Sequence, residues 1–346
     1  MQAMNTGLST LRVGVVGASG YSGGELLRLL LPDPAIRVEV VTAHAQAGRP
    51  LGDVHPSLAR RLPLVLTAFD PAALAGLDAV FVALPSGEAM QVVPALLGKV
   101  GCVIDLGGDL RLPTADLYEK YYRRPHTAPQ LLGQAVYGLP ELNRERLRGA
   151  KLVANPGCYP TGAILALLPA LREKLVRTDG IIVNALSGVS GAGRTAAVEM
   201  SFGEMNENVR AYRVGDHQHV PEIAMALSQA ADAPVTLSFV PHLLPVTRGI
   251  HTTVHAELRA PVPVAELRAL YDACYRDEPF VRFGAREPEL RSVQYTNYCD
   301  GAVHVDPHTG HLVVTTVIDN LVKGAAGQAV QNLNLVFGRP ERALLQ

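Results

Sequence analysis

Short apolar runs, each stopped by glycine or proline, divide the chain into elements. Leu11-Arg12-Val13-Gly14-Val15-Val16 predicts a strand that feeds into Gly17-Ala18-Ser19-Gly20-Tyr21-Ser22-Gly23-Gly24. Residues 25–31 then predict a helix closed by Pro32 and Pro34, and residues 36–41 a second strand. Strand, glycine-rich turn, helix and strand make one βαβ unit, the opening of a doubly wound parallel sheet. Residues 79–84 are wholly apolar, as a strand covered on both faces is, and end at Pro85-Ser86-Gly87. A further strand begins at Val103 and runs into Gly107-Gly108-Asp109. Residues 113–134, rich in Tyr, Arg and Pro, read as a helical excursion with a loop, and residues 141–148 as a short charged surface segment.

At the centre, residues 151–154 end a strand and residues 164–175 carry leucines at helical spacing. Beyond that helix the pattern changes. Residues 180–186 predict a strand entering a long polar turn, Ser187-Gly188-Val189-Ser190-Gly191-Ala192-Gly193-Arg194, in which glycine lets backbone amides reach a ligand. Residues 235–240, 249–258 and 311–318 predict strands. In the middle one Thr252, Val254, Ala256 and Leu258 alternate with polar neighbours, the mark of an antiparallel sheet with one wet face. A helix spans 264–275, and a last one starts near Asp319 and runs to about Phe337, returning to the first domain to close the site. The predicted architecture is α/β: a Rossmann-type dinucleotide-binding domain from 9–157 plus 318–346, and an α+β domain with a mixed or antiparallel sheet from 158–317.

Composition narrows the class. The chain has 346 residues and a net charge of -1, with no basic tract, so neither nucleic acid nor an anionic membrane is expected as a partner. Apolar residues make up 48%, yet no run approaches a membrane span, and residues 1–10 lack an apolar signal core. The four cysteines are scattered without a CxxC pair, which fits a reducing cytoplasm and predicts no metal site.

Two stretches carry candidate chemistry. Gly17, Ser19, Gly20, Tyr21 and Ser22 lie where a pyrophosphate would rest on a helix N-terminus, although the spacing is GxxGxxG rather than GxGxxG. An acid at the end of the second strand would hold the ribose 2′-hydroxyl of NAD. Here Thr42-Ala43-His44-Ala45 stand instead, with Arg49 soon after, which favours the 2′-phosphate of NADP. Asp105 and Asp109 read as turn-forming aspartates rather than catalytic acids.

The second stretch is Asn155-Pro156-Gly157-Cys158-Tyr159-Pro160-Thr161. Pro160 suits a first helical turn, so Cys158 stands at a helix N-terminus, where free amides lower a thiol pKa. A buried structural cysteine is the plain alternative. His217 and His219, at i and i+2, lack further zinc ligands at recognisable spacing and read as acid–base partners for a cysteine. A thiolate beside a nicotinamide can attack an activated acyl carbon and form a thioester, which a hydride then reduces to an aldehyde.

The motifs quoted above, with Pro241-His242-Leu243-Leu244-Pro245, Arg248-Gly249-Ile250 and Asp319-Asn320-Leu321-Val322-Lys323-Gly324-Ala325-Ala326-Gly327-Gln328, span nearly the whole chain. In this order they resemble the N-acetyl-gamma-glutamyl-phosphate reductases, relatives of aspartate-semialdehyde dehydrogenase. The resemblance implies NADPH as cofactor and an acyl-phosphate substrate. It implies Cys158 as nucleophile and His219, or else His217, as acid–base group. It implies Arg248 as a fork for a substrate anion, Ser187 and Gly188 on the nicotinamide side, Asn320 on the nicotinamide amide, and a homodimer or homotetramer. Ser86 lies at a second strand-to-helix turn on the cofactor side. The chain departs from the family at Ala43, His44 and Ala45, which leaves Arg49 and His44 for the 2′-phosphate. It departs again at Gln218, where the family often has arginine between the two histidines. Alternatives are a reductase of carrier-linked aminoadipyl or glutamyl phosphate, aspartate-semialdehyde dehydrogenase itself, and a catalytically silent NADP-binding regulator.

Overall fold

The computed structural model describes residues 10–345. Six strands make the first sheet: β1 Leu11–Val16, β2 Ile36–Thr42, β3 Ala79–Val82, β4 Cys102–Asp105, β5 Val136–Tyr137 and β6 Leu152–Ala154. They are parallel throughout, in the order β2-β1-β3-β4-β6-β5. β3, β4 and β6 are buried at every residue, which is why such runs read as continuous apolar stretches, while β1 and β2 expose Arg12 and Arg37. Val13 and Val15 enter one core with Leu26, Leu30, Val330 and Leu333. Val16, Val80 and Val82 enter the other with Met90, Val93 and Tyr118. The Tyr21–Leu30 and Gly327–Val336 helices thus cover one face, and the Ala89–Leu96 and Ala115–Tyr122 helices the other.

The second sheet has seven strands: β7 Ile181–Gly188, β8 Arg210–Ala211, β9 Leu237–Leu244, β10 Ile250–Glu257, β11 Val281–Gly284, β12 Cys299–Val305 and β13 His311–Ile318. Their order is β11-β12-β13-β10-β7-β9-β8, with β7–β9 and β11–β12 parallel and the other pairs antiparallel. The inner face, including Val183, Phe239, Val254 and Val314, packs on the Cys158–Arg172, His219–Ala231 and Val264–Tyr275 helices. The outer face carries half-buried His251, Thr253 and His255, and Ile182 is exposed on it.

The Cys158–Arg172 helix is apolar on every side, and every residue from Tyr159 to Leu171 is buried. Such a helix has no solvent face and belongs in a core. Its first turn meets the end of the chain. A side chain at Gly324 would stand 2.8 Å from the Cys158 Cβ. Asn155 Nδ2 donates to the Ala325 carbonyl at 3.1 Å, and Asn332 Nδ2 donates to Asn155 Oδ1 at 2.9 Å. Here the backbone widens into a π-helical turn, Val322–Ala326, before the Gly327–Val336 helix begins. Next to Gly324, the wholly buried Lys323 donates to Glu141 Oε1 at 2.7 Å and to Gln331 Oε1 at 2.8 Å.

β8, β11 and β12 had no counterpart in the sequence pattern. β8 and β11 are only two and four residues long. β12 reads Cys-Asp-Gly-Ala-Val-His-Val, a poor strand former by propensity. Pairing on both sides, with β11 and β13, holds it extended. Gly301 lets the Phe283 ring lie directly on its backbone. The first helix also begins four residues earlier than its apolar pattern, at Tyr21 rather than Glu25, because small residues of the turn already wind helically.

Candidate active site

Cys158 is the first residue of its helix, at the seam between the two sheets. No side chain caps this end, and the Tyr159 and Cys158 amides pull the thiol toward ionisation. So does the guanidinium of Arg111. Burial outweighs them all, and the thiol is pushed up to about 11. The Cys158 thiol is therefore raised, not lowered as the helix N-terminus alone would have it. A helix N-terminus favours the anion, but desolvation disfavours it more.

Gly157 explains how the cluster is held together. A Cβ there would stand 2.6 Å from His219 Nε2 and 2.8 Å from Arg111 Nη1. Both side chains therefore lie against the peptide that precedes the cysteine. The Gly157 N–H donates to Glu222 Oε1 at 2.7 Å, and that oxygen also accepts from the Tyr137 hydroxyl at 2.8 Å. Glu222 Oε2 accepts from Arg111 Nη1 at 3.2 Å. Arg111 is completed by the Asn155 and Leu106 carbonyls, both at 2.8 Å. Neither Arg111 nor Glu222 was singled out by motif. Arg111 follows a turn whose aspartates are structural. Glu222, three residues after His219 on one helix, carried a signal in that spacing, since i and i+3 share a helix face.

His219 opens the His219–Ala231 helix, and its backbone N–H donates to His217 Nδ1 at 3.1 Å. The two rings lie 4.8 Å apart and flank Tyr159, whose hydroxyl accepts from Tyr212 at 2.9 Å. Burial, then His219 and Arg213, hold His217 neutral, down to about 2; burial, then Arg111 and Arg213, drive His219 well below its ordinary value. A neutral imidazole has a free lone pair but no charge, so His219 does not steady a thiolate electrostatically. Its Nδ1 is buried without a partner.

On the cofactor side, Gly17 has φ +89 and its amide, with that of Ala18, donates to the Thr42 carbonyl at 3.1 and 2.9 Å. A side chain at Gly17 would collide with the Ala83 backbone, so only glycine fits. Gly20 is the N-cap of the Tyr21–Leu30 helix with no side chain capping it, and a Cβ there would meet only the Gly17 carbonyl oxygen, at 3.7 Å. Uncapped amides beside an open glycine fit a pyrophosphate. Ser22, in the same first turn, is partly exposed, and Arg49 is exposed with its guanidinium on Gln46 Oε1 at 2.6 Å. Arg194, from the polar turn after β7, reaches the Ser19 carbonyl at 2.8 Å and lies over the Tyr21 ring.

Other expected ligand contacts are committed within the protein. Arg248 pairs with Glu25 at 2.6 Å and Asp319 at 3.2 Å and lies 4.5 Å over the Tyr295 ring. With two buried carboxylates already in place it bridges the domains and is no free anion fork. Asn320 accepts from the Gly249 amide at 2.8 Å and donates to Ser190 Oγ at 2.9 Å, so its amide shapes the polar turn. Ser187 is buried and donates to the Gly188 carbonyl at 3.0 Å. Gly188 is needed because the Thr247 and Val246 carbonyls pass 2.8 Å from where a Cβ would be. Thr42 is buried and contributes its carbonyl, not its side chain, to the turn. The Ser86 carbonyl accepts from Arg124 at 2.8 Å. Asp109 accepts from the Gly87 and Met90 amides and the Tyr118 hydroxyl, and Asp105 accepts from the Gly107 amide, which are structural roles for both.

Family models match the two halves of the chain. Residues 12–150 fit the semialdehyde dehydrogenase NAD binding domain, and residues 158–320 fit the semialdehyde dehydrogenase dimerisation domain. A protein from Symbiobacterium thermophilum named N-acetyl-gamma-glutamyl-phosphate reductase is 50% identical over 96% of each chain. One of the same name from Alkalilimnicola ehrlichii is 48% identical over 96% of this chain and 97% of its own. Among solved structures, aspartate semialdehyde dehydrogenase II of Vibrio cholerae, complexed with ASA, superposes with a TM-score of 0.68 at 19% identity, covering 94% of this chain and 98% of its own. Aspartate semialdehyde dehydrogenase of Candida albicans with NADP gives 0.69 at 17% identity, with the same coverage. At these identities the two structures speak for the fold.

Proposed function

The chain belongs to the N-acetyl-gamma-glutamyl-phosphate reductase family, and on that premise we propose how its own residues reduce N-acetyl-L-glutamyl 5-phosphate to N-acetyl-L-glutamate 5-semialdehyde and phosphate. The observation that carries the reading is Gly157, against whose backbone His219 and Arg111 converge beside Cys158.

In this reading Cys158 gives its proton to the neutral imidazole of His219. The sulfur attacks the acyl carbon, a C–S bond forms, and the C–O bond to phosphate breaks with its electron pair leaving on phosphate. Arg111 keeps a positive charge beside the nucleophile, and Glu222 holds Arg111 and the Gly157 amide in place. NADPH, held at the glycine-rich turn, would supply the hydride for the thioester carbon. When the C–S bond breaks, the departing sulfur is received by the Tyr159 and Cys158 amides and regains its proton from His219. His217, fixed through its Nδ1 by the His219 amide, orients that ring.

Gly17, Ser19, Gly20, Tyr21 and Ser22 would hold the pyrophosphate, with Arg49 near the 2′-phosphate. The domain boundary falls at Cys158, with residues 318–346 returning to the first domain. Half-buried and exposed side chains on the outer face of the second sheet support a homo-oligomer built through that face. Among the described residues no helix is long and apolar enough to cross a membrane. A cytoplasmic location is proposed from the biosynthetic reaction of the protein's relatives.

The test runs the reaction backward with N-acetylglutamate semialdehyde, NADP and phosphate, following NADPH. Phosphate-dependent activity in the wild type and its loss in Cys158→Ala are expected. Turnover of aspartate semialdehyde instead would transfer the assignment to that enzyme. His219→Asn should lower kcat more than His217→Asn, and Arg49→Ala should raise KM for NADPH while sparing NADH.

A further inference from the structure

A cleft of about 450 Å³ opens at Asp216 and Gln218, the chain neighbours of His217. One wall comes from the first domain: Ser86, the end of the Ala115–Tyr122 helix, and Arg123 and Arg124. The other comes from the second: Arg213, Asp216 and Gln218. Three guanidinium groups and one carboxylate give it a net charge of about +2, since arginine stays protonated in proteins. Asp216 pairs with Arg123, which leaves Arg124 and Arg213 bound only to neutral partners. Arg124 donates to the Ser86 carbonyl. Arg213 donates to Gln218 Oε1 and to the Asp216 carbonyl, and is also within reach of the Tyr121 carbonyl.

The backbone is built to present these groups. Arg123 and Arg213 both hold left-handed conformations, φ 57 and 46, uncommon for a residue with a side chain. Gly87, at φ 99, has no side chain because the Arg124 guanidinium occupies that space. The Tyr122 hydroxyl in the cleft wall also lies against Gly108, three residues before Arg111. Tyr122, in its lining, lies near enough to Arg111 and Glu222 for its hydroxyl to feel both charges. Gln218 stands between His217 and His219 in the chain.

We propose that this cleft takes the carboxylate end of the substrate, with Arg213 and Arg124 as its specificity-determining residues. The inference rests on the functional reading above, which supplies an anionic substrate whose reacting carbon must reach Cys158. Arg248, closed off by Glu25 and Asp319, is not available for that carboxylate. A planar fork matches a carboxylate in geometry as well as charge.

The experiment measures steady-state kinetics of N-acetylglutamate semialdehyde oxidation for the wild type, Arg213→Gln, Arg124→Gln and Arg213→Lys, with Arg276→Gln as an exposed distant control. Each Gln variant should raise the KM for the semialdehyde about tenfold, as loss of one charge-assisted hydrogen bond does, with kcat and the KM for NADP nearly unchanged. Arg213→Lys should recover part of the loss, and the control none of it because it has lost nothing. The α-methyl ester of the semialdehyde should be used poorly by the wild type and no worse by the variants. Unchanged KM in both Gln variants, equal sensitivity of acid and ester, or a rise in the KM for NADP instead would overturn the proposal. Inactivity of the wild type toward the semialdehyde would instead refute the functional reading beneath it.

Discussion

Replacing Glu222 by Gln should make the protein less stable and the Cys158 thiol more reactive at once. The carboxylate is fully buried and serves three partners: the Gly157 amide, the Tyr137 hydroxyl and Arg111. Glutamine keeps one oxygen, enough for one or two of these, but leaves the Arg111 guanidinium buried without its counter-charge. Breaking one side of a buried ion pair costs about 3–5 kcal/mol, so the melting temperature should fall by several degrees. At Cys158 the sign reverses. Glu222 pushes the thiol up while Arg111 pulls it down, so removing the carboxylate leaves Arg111 unopposed and the thiol pKa falls. With the thiol at about 11, roughly one molecule in a thousand carries thiolate at pH 8, and the alkylation rate follows that fraction. The assay is the rate of iodoacetamide alkylation of Cys158 against pH, followed by intact mass, alongside thermal unfolding. Glu222→Gln should be alkylated faster at every pH below the wild-type thiol pKa. A slower rate in the variant, or a wild-type thiol that titrates below 8, would refute the reasoning.

Gly157→Ala should lower kcat by at least tenfold while leaving NADP affinity unchanged in a fluorescence titration, because the new methyl displaces His219 and Arg111 and nothing on the cofactor side. Asp105 is fully buried with one oxygen unpartnered, and burial raises it from 3.8 to about 7. A carboxyl raised in the folded state favours folding below its unfolded pKa, and that contribution is lost as pH rises through the folded value. Relative to Asp105→Asn, the wild type should therefore lose stability between about pH 4 and pH 7, measured by denaturant unfolding; parallel stability curves would contradict the assignment.

Much of the fold was legible because burial on both faces leaves a continuous apolar signature, as in β1 and β3. The second sheet was only partly legible. β12 carries Asp, Gly and Ala and is a strand by pairing rather than propensity, a tertiary effect that no local window contains. At the site, Cys158, His219 and the glycine-rich turn announced themselves by type and spacing. Charge balance did not. Whether an arginine is free or paired depends on what folds against it: Arg248 meets Glu25 from the first helix, and Arg111 meets Glu222 from a helix in the other domain. The thiol pKa failed to follow the helix-terminus rule for the same reason, since how deeply Cys158 is desolvated is decided by segments far away in sequence.

The return of the chain end to the first domain has a consequence for synthesis. The strands of the first sheet have all emerged once residue 154 leaves the ribosome, but the Gly327–Val336 helix that covers one of its faces has not. Leu26, Val13 and Val153 must wait for Val330 and Leu333 while the whole second domain is made. Cys158 waits as well, since the turn that packs against it through Gly324 arrives in the same segment. A nascent chain therefore carries an uncovered apolar face and an unfinished catalytic seam. A ribosome-stalled chain ending before residue 322 should engage chaperones and lack turnover.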